Sequence, residues 1–216
     1  DQCREAWKNV IKIQVTKGEF QNIIICGMGG SRFTPLTIKH LFADRIKLPL
    51  EIIDGYHLPA YANEKTLVIL SSYSGTTEEI ISCAEEAIVK NCKIAVVTAG
   101  GKLNEMVGQN HWDSYIFSPT NNPSGQPRLG GGYMLMGHAG LLKNYGLLDL
   151  TDDEVESSIE YIRRINKDDS RIGQVLEFMK DKIIYLIASE HLKGFANGFA
   201  NQINENAKAI SDFRII

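Results

Sequence analysis

Residues 66–81, TLVILSSYSGTTEEII, join an apolar run, a turn rich in hydroxyl groups and the beginning of an amphipathic segment. The apolar run at 66–70 is typical of a strand. From Thr77 onward apolar residues recur at helical spacing, with glutamates between them. Thr76 and Glu79 fit a capping box that would open this helix. The stretch therefore predicts a strand, a loop and a helix in direct succession.

The predicted loop is suited to binding an anion. A helix N-terminus has unpaired backbone N–H groups and a partial positive charge, and the loop adds the hydroxyls of Ser72, Ser74 and Thr77. The loop contains no lysine or arginine and lacks the Gly-Lys-Ser or Gly-Lys-Thr ending of a P-loop. This pattern favours the phosphate of a small sugar over a nucleotide triphosphate. The alternative is that the hydroxyls only cap the helix.

A second unit of the same kind precedes this one. The apolar run at 23–26 is typical of a strand buried on both faces, and it ends in GMGGS at 27–31, before a predicted helix at 34–43 with Pro35 in its first turn. A dinucleotide-binding loop requires glycine at its first, third and sixth positions, and the sixth position here is Arg32. The spacing therefore disfavours dinucleotide binding.

Further strands are predicted from the apolar runs at 50–53, 93–98 and 115–117. Strands that alternate with helices predict an α/β fold, a doubly wound parallel sheet with helices on both faces. In such sheets ligands bind at the carboxyl ends of the strands. Because the loops after 23–26 and 66–70 both emerge there, we expect them to face one crevice.

We expect two domains, with a boundary near 146–150. Residues 1–147 would form the first domain, and 148–216 would supply linker helices and the beginning of a second, similar domain that is truncated. The second part predicts, in order, a helix opened by a Thr151–Glu154 capping box, a polar linker, a short helix, a buried strand and a last helix (152–165, 166–170, 172–180, 183–188 and 195–209). No strand follows the last helix in this prediction.

Composition excludes several classes of function. Hydrophobic residues make up 44% of the 216 residues, enough for a packed core, and the net charge of −3 favours neither nucleic acid nor an anionic membrane. The 4 cysteines lack metal-ligand spacing, which indicates reduced thiols in a cytoplasmic protein. No leader-like or membrane-spanning apolar run occurs. We therefore expect a small-molecule site with no metal and no cofactor.

Two charged residues are candidates for that site. Arg128 ends a turn-rich stretch and is flanked by Pro127 and Gly130, so it could bind a negative charge or be an ordinary surface arginine. Glu205 lies on the polar side of the last predicted helix, where it could serve a site or form a solvated pair with Lys208. The residues alone leave both alternatives open.

Four motifs together resemble those of the SIS (sugar isomerase) domain proteins. They are GMGGS at 27–31, SYSGTTEE at 72–79, QPR at 126–128 and NQINENAK at 201–208. More narrowly, the chain is similar to the bifunctional phosphoglucose/phosphomannose isomerases. The motifs occur in the same order and span nearly the whole chain, and four in sequence are far more specific than any one of them.

The resemblance implies a fold, an activity and a set of site residues. It implies SIS domains with a flavodoxin-like strand order, a homodimer, and interconversion of glucose 6-phosphate or mannose 6-phosphate with fructose 6-phosphate through a cis-enediol(ate). Arg128 matches the arginine that faces the intermediate, and Glu205 matches the catalytic base. The positions that match the phosphate-binding residues are Gly30, Ser31, Ser72, Ser74 and Thr77. A non-catalytic sugar-phosphate sensor remains the alternative.

This chain also departs from the family pattern. Arg32 and Phe33 stand where the family more often has small residues, which bears on the size of the pocket. None of the 5 histidines lies at a position matching the family's ring-opening histidine.

Overall fold

The computed structural model describes residues 1–165 and 172–216. Its main element is a five-stranded parallel sheet with the strand order β2-β1-β3-β4-β5. The strands are β1 (Asn22–Gly27), β2 (Leu50–Ile53), β3 (Thr66–Ser71), β4 (Lys93–Thr98) and β5 (Asp113–Ile116). The flavodoxin-like order expected from the resemblance is thereby confirmed, as are all five predicted strands.

Helices cover both faces of this sheet. The first part of the chain contributes α1 (Gln2–Val10), α2 (Gly30–Leu41), α3 (Glu78–Val89), α4 (Gly101–Asn110) and α5 (Gly131–Asn144). Alternate residues of β1 lie in two different cores: Ile23 and Ile25 pack with α1 and α5, whereas Ile24 and Cys26 pack with α3 and α4. This alternation follows from the two-residue period of a strand. The predicted doubly wound architecture is confirmed.

The register places the two candidate loops side by side. β1 and β3 are neighbours, and the last pair in their register is Gly27 with Ser71. Each strand therefore ends at the same edge of the sheet, and the loops that follow both begin there. The expectation of one shared crevice is met at this edge.

The helix after β1 begins earlier than the sequence predicts. α2 starts at Gly30, so Pro35 lies inside the helix and not in its first turn. Pro35 has no backbone N–H, so it cannot donate to the carbonyl of Ser31, four residues earlier. The hydroxyl of Ser71 donates to that carbonyl instead, at 2.9 Å. A contact from the end of the neighbouring strand β3 thus satisfies the group that the proline leaves free.

Two capping predictions have opposite outcomes. The box at Thr151 and Glu154 is confirmed, since Glu154 N donates to Thr151 Oγ1 at 3.2 Å and Thr151 N donates to Glu154 Oε2 at 2.8 Å. The box at Thr76 and Glu79 is wrong. Thr77 is the N-cap of α3 and makes no side-chain capping bond, and the Thr76 hydroxyl donates to Ser74 Oγ at 3.2 Å. The hydroxyls of this loop bond to one another and not to the helix backbone.

The second part of the chain contains a parallel strand–helix–strand unit. α6 (Asp152–Ile165) and α7 (Ile172–Met179) precede β6 (Ile184–Ala188), α8 (Lys193–Gln202) and β7 (Ser211–Ile215), and β6 pairs with β7. The predicted polar linker at 166–170 lies outside the described residues. The described part thus holds one complete unit, and the division into domains at 147 stays a prediction.

The predicted end of the last helix, at 209, is wrong, and the sequence analysis did not predict β7. α8 ends at Gln202 and is followed by a π-helical turn, Ile203–Ala207. Lys208 then takes a left-handed conformation with φ of 54°. The side chain of Asn204 then bonds to Ser211 at both ends: Nδ2 donates to Ser211 O at 3.0 Å, and Ser211 N donates to Oδ1 at 2.7 Å. This clamp reverses the chain, so the segment after it returns as a strand instead of extending the helix.

The two units are packed directly against each other through α8 and α2. A Cβ atom at Gly194 would lie 2.4 Å from the backbone nitrogen of Thr37 and 2.5 Å from the carbonyl carbon of Leu36. Only a glycine lets the two helices approach this closely. The contact fixes the position of the π-helical turn, which follows α8, relative to the main sheet.

Candidate active site

A cavity of about 700 Å³ lies at the carboxyl ends of β1 and β3. It is closed on the other side by α8 and the turn that follows it. All seven residues that the sequence nominated line this one cavity: Gly30, Ser31, Ser72, Ser74, Thr77, Arg128 and Glu205. Four stretches that are far apart in sequence therefore meet at a single place.

The hydroxyls of the loop after β3 converge on one another. Ser72 Oγ lies 2.7 Å from Thr77 Oγ1 and 3.5 Å from Ser74 Oγ. The backbone N–H of Gly75 donates to Ser72 Oγ at 3.0 Å. Three hydroxyls at the start of α3 form a compact polar cluster there, and a helix N-terminus adds partial positive charge. Neutral donors in this arrangement are suited to a phosphate group.

The first glycine-rich loop is tied to this cluster through Ser31. Ser31 Oγ accepts a hydrogen bond from the backbone N–H of Tyr73 at 3.1 Å. Ser31 O accepts the hydroxyl of Ser71 at 2.9 Å. Because the side chain of Ser31 binds the second loop and its backbone binds the end of β3, the two loops form one connected surface.

The two charged candidates form an ion pair across the cavity. Arg128 Nη1 lies 3.1 Å from Glu205 Oε1, and Arg128 Nε donates to Asn206 Oδ1 at 2.8 Å. The side chains of Arg128 and Glu205 are 33% and 49% exposed, so this pair contributes little to stability and both groups can be reached from the cavity. Glu205 thus pairs with Arg128 and not with Lys208 as the solvated-face alternative supposed.

The turn that carries Glu205 is itself unusual. The π-helical turn Ile203–Ala207 is a rare conformation that often occurs at functional sites. Gln202, the last residue of α8, donates through Nε2 to the backbone carbonyl of Arg128 at 3.2 Å. The turn therefore binds the side chain of Arg128 through Glu205 and Asn206, and the end of α8 binds its backbone carbonyl.

One wall of the cavity is aromatic, which the sequence reasoning missed. Phe33, Phe195 and Phe199 line it, and the last two rings stack with their centroids 5.8 Å apart. Arg32 does not line this cavity. Its Nε lies 3.0 Å from Asp54 Oδ2, on the other side of α2. Of the two residues that depart from the family pattern, only Phe33 therefore affects the size of this cavity.

Two threonines of α2 that line the cavity were also missed. Thr34 and Thr37 follow Gly30 at the spacing of one helix face. Because the prediction began the helix at 34, this face was not recognised. A helix start at Gly30 would have pointed to both threonines.

Neither a metal-binding cluster nor a membrane-spanning helix occurs in the part of the chain that the structure describes. No cluster of three or more histidine, cysteine, aspartate or glutamate side chains could hold a metal ion there. No helix in residues 1–165 or 172–216 combines the length and the apolar character needed to cross a membrane. All 4 cysteines are free.

Comparison of the sequence with known proteins gives similar enzymes. No family model matches the chain. It is 32% identical to a bifunctional phosphoglucose/phosphomannose isomerase from Caldicellulosiruptor bescii, over 98% of this chain and 63% of that protein. It is 30% identical to a protein of the same name from Thermoplasma volcanium, over 90% of this chain and 59% of that protein. The chain therefore spans about three fifths of the length of these relatives.

Comparison of structures supports the fold. A proposed phosphosugar isomerase from Clostridium difficile 630 superposes with a TM-score of 0.70, covering 100% of this chain and 66% of the other, at 16% identity. At that identity the match establishes the fold alone. The resemblance drawn from the four motifs is confirmed: the chain has the fold of the SIS-type phosphosugar isomerases and is similar, over nearly its whole length, to the bifunctional phosphoglucose/phosphomannose isomerases.

Proposed function

We propose that this chain supplies the sugar-phosphate site of an aldose–ketose isomerase that interconverts glucose 6-phosphate or mannose 6-phosphate with fructose 6-phosphate. The proposal rests on one observation: a cluster of neutral hydroxyls, an arginine and a carboxylate all line one cavity. The names of the similar proteins support the same substrate class. A cytoplasmic location and a homodimer belong to the proposal as well.

The roles of the residues follow from their chemistry. The phosphate binds to the loops that contain Ser31 and Ser72, where neutral donors surround it. The Glu205 carboxylate takes the proton from C2 of the aldose and returns it to C1, which leaves a cis-enediol(ate) between the two steps. The Arg128 guanidinium lies beside Glu205 and stabilises the negative charge that develops on the enediolate oxygen. The reaction moves the carbon-bound proton from C2 to C1 and a hydroxyl proton from O2 to O1, and it needs no electron acceptor.

The proton-transfer step gives a direct test. Fructose 6-phosphate is incubated with the protein in deuterium oxide, and the incorporation of deuterium at C1 is followed by nuclear magnetic resonance. Glu205→Gln preserves the size of the side chain but removes the proton acceptor, so we expect exchange to fall by about 10²-fold or more. Binding of the sugar phosphate should persist, because the phosphate loops are unchanged.

A matched control separates this effect from a general loss of charge. Glu190→Gln makes the same change at an exposed residue that does not line the cavity. It should exchange at the wild-type rate. Equal rates in wild type and Glu205→Gln would remove Glu205 from the mechanism, and binding without any exchange in wild type would favour a sugar-phosphate sensor.

A further inference from the structure

Tyr73 belongs to the hydroxyl loop and lines the cavity beside Ser72 and Ser74, but its ring also packs into the core. Its backbone N–H donates to Ser31 Oγ at 3.1 Å, and its carbonyl accepts Ala99 N at 3.0 Å. The ring is 8% exposed and meets the ring of Phe117 edge to face, with centroids 5.4 Å apart. Tyr73 is thus fixed at its backbone by the phosphate loops and at its ring by the core of the main sheet.

The hydroxyl of Tyr73 is bound to the segment that carries Arg128. Asn122 Nδ2 donates to Tyr73 Oη at 2.9 Å and to the carbonyl of Gln126 at 2.9 Å. Asn122 Oδ1 accepts the hydroxyl of Ser124 at 2.7 Å. Asn122 is 6% exposed, so its amide is a buried group, and its hydrogen bonds are satisfied by Tyr73, Gln126 and Ser124. It connects Tyr73 to the turn that ends two residues before Arg128.

The ring of Tyr73 also touches the backbone just after Arg128. A Cβ atom at Gly130 would lie 2.2 Å from Tyr73 Cε2, so only glycine fits against the ring. Gly130 N donates to the carbonyl of Pro127 at 3.0 Å, which makes the turn around Arg128 compact. Tyr73 therefore contacts the arginine turn on both sides, through Asn122 before it and through Gly130 after it.

We infer that Tyr73 and Asn122 are positioning residues that set the distance between the phosphate loops and Arg128. The inference rests on the proposed function, because that distance matters only for a ligand with a phosphate at one end and developing negative charge at the other. Asn122 does not line the cavity, and Tyr73 does line it but has its hydroxyl occupied by Asn122. Their effect on binding is exerted through the guanidinium of Arg128.

Two probes separate the phosphate loops from the arginine. Inorganic phosphate occupies only the loops, whereas a phosphorylated sugar acid places a carboxylate where the enediolate would form. Tyr73→Phe removes only the bond to Asn122 and should lower the affinity for the sugar acid by about tenfold, the loss of roughly one net hydrogen bond. Asn122→Ala also removes the bond to the Gln126 carbonyl and should lower that affinity at least as much. The affinity for inorganic phosphate, measured by calorimetry, should not change.

Tyr115→Phe is the matched control. Tyr115 is 2% exposed in the same aromatic cluster, 5.5 Å from Phe117, and its hydroxyl has no partner among the described residues. The same chemical change there removes no hydrogen bond. It should leave both affinities at the wild-type value, and a loss equal to that of Tyr73→Phe would overturn the inference.

A double-mutant cycle decides whether the link acts through Arg128. In an Arg128→Ala background, Tyr73→Phe and Asn122→Ala should cause no further loss of affinity for the sugar acid. A further tenfold loss in that background, or an equal loss for inorganic phosphate, would overturn the inference while leaving the proposed function intact. Wild-type protein that binds neither probe would overturn the proposed function and this inference with it.

Discussion

The two sheets of the molecule are built from the same kind of strand–helix unit but differ in how well they are covered. Every residue of β3 is buried, and helices lie on both faces of its sheet. In β6 the residues are partly or largely exposed, with Tyr185 at 55% and Ile187 at 65%. α8 is the helix that joins its two strands and packs on α2.

The two sheets show that an apolar run predicts a strand but not its burial. The runs at 66–70 and 183–188 are equally apolar in sequence, and both form strands. Burial requires layers that other segments supply. The proposed site lies between the two regions, because its hydroxyl cluster belongs to the buried sheet and Glu205 follows α8.

The largest expected effect compares one isoleucine from each sheet. Ile69→Ala removes a fully buried side chain from β3, so we expect the free energy of unfolding to fall by about 2 to 5 kcal/mol. Ile187→Ala removes a side chain that is mostly exposed, and its effect should stay within about 0.5 kcal/mol. Urea denaturation of both variants measures the difference. Equal losses would show that β6 is as well covered in solution as β3.

The next effect is a pH dependence confined to the buried region. His138 on α5 is 0% exposed, donates from Nδ1 to Met134 O at 2.5 Å, and leaves Nε2 without a partner among the described residues. Burial lowers its pKa from 6.5 to about 4. The unfolded chain binds a proton below 6.5 that the folded chain does not. Stability should therefore fall as the pH decreases from 6.5 to 4, by about 3 kcal/mol in total.

The contribution of His138 is isolated by removing its titration. His138→Asn retains an N–H group near the Nδ1 position but does not titrate, so its stability should depend less on pH between 6.5 and 4 than that of the wild type. His191→Asn, at an exposed histidine of the second region, should keep the wild-type pH dependence. Identical pH profiles for wild type and His138→Asn, followed by thermal unfolding, would contradict the assignment.

The smallest effect concerns the ion pair between the two regions. Glu205→Gln weakens a partly exposed pair with Arg128, so the free energy of unfolding should change by no more than about 0.5 kcal/mol. Thermal unfolding of the variant checks this. A loss of several kcal/mol would mean that the pair joins the two regions structurally, and the fall in proton exchange could then be attributed to misfolding.

The main sheet was predictable because each of its strands carries its own signal. Apolar runs such as 23–26 and 93–98, each followed by glycine or hydroxyl residues, indicate strands and loops locally. The loops could be placed at one edge because parallel strands end on the same side. The candidate site residues came from the motifs, and the fold brought all of them to one cavity.

The missed features depend on contacts between distant residues. α2 begins at Gly30, before Pro35, and the carbonyl that Pro35 leaves free is bound by Ser71, 40 residues later than Ser31. The clamp between Asn204 and Ser211 cannot be read from helical periodicity. The alternation in SDFRI at 211–215, with Asp212 and Arg214 exposed, was a signal for β7 that a search for continuous apolar runs does not detect.

The proposed site depends on binding of a sugar's phosphate by the hydroxyl cluster at the start of α3. Calorimetric titration of fructose 6-phosphate into wild type, Ser74→Ala and Thr77→Ala tests it most directly, with Ser157→Ala, an exposed serine on α6, as the control. Each cluster variant should lose about 1 to 3 kcal/mol of binding free energy with the fold intact, and the control should lose none. Unchanged affinity in both cluster variants would contradict the claim.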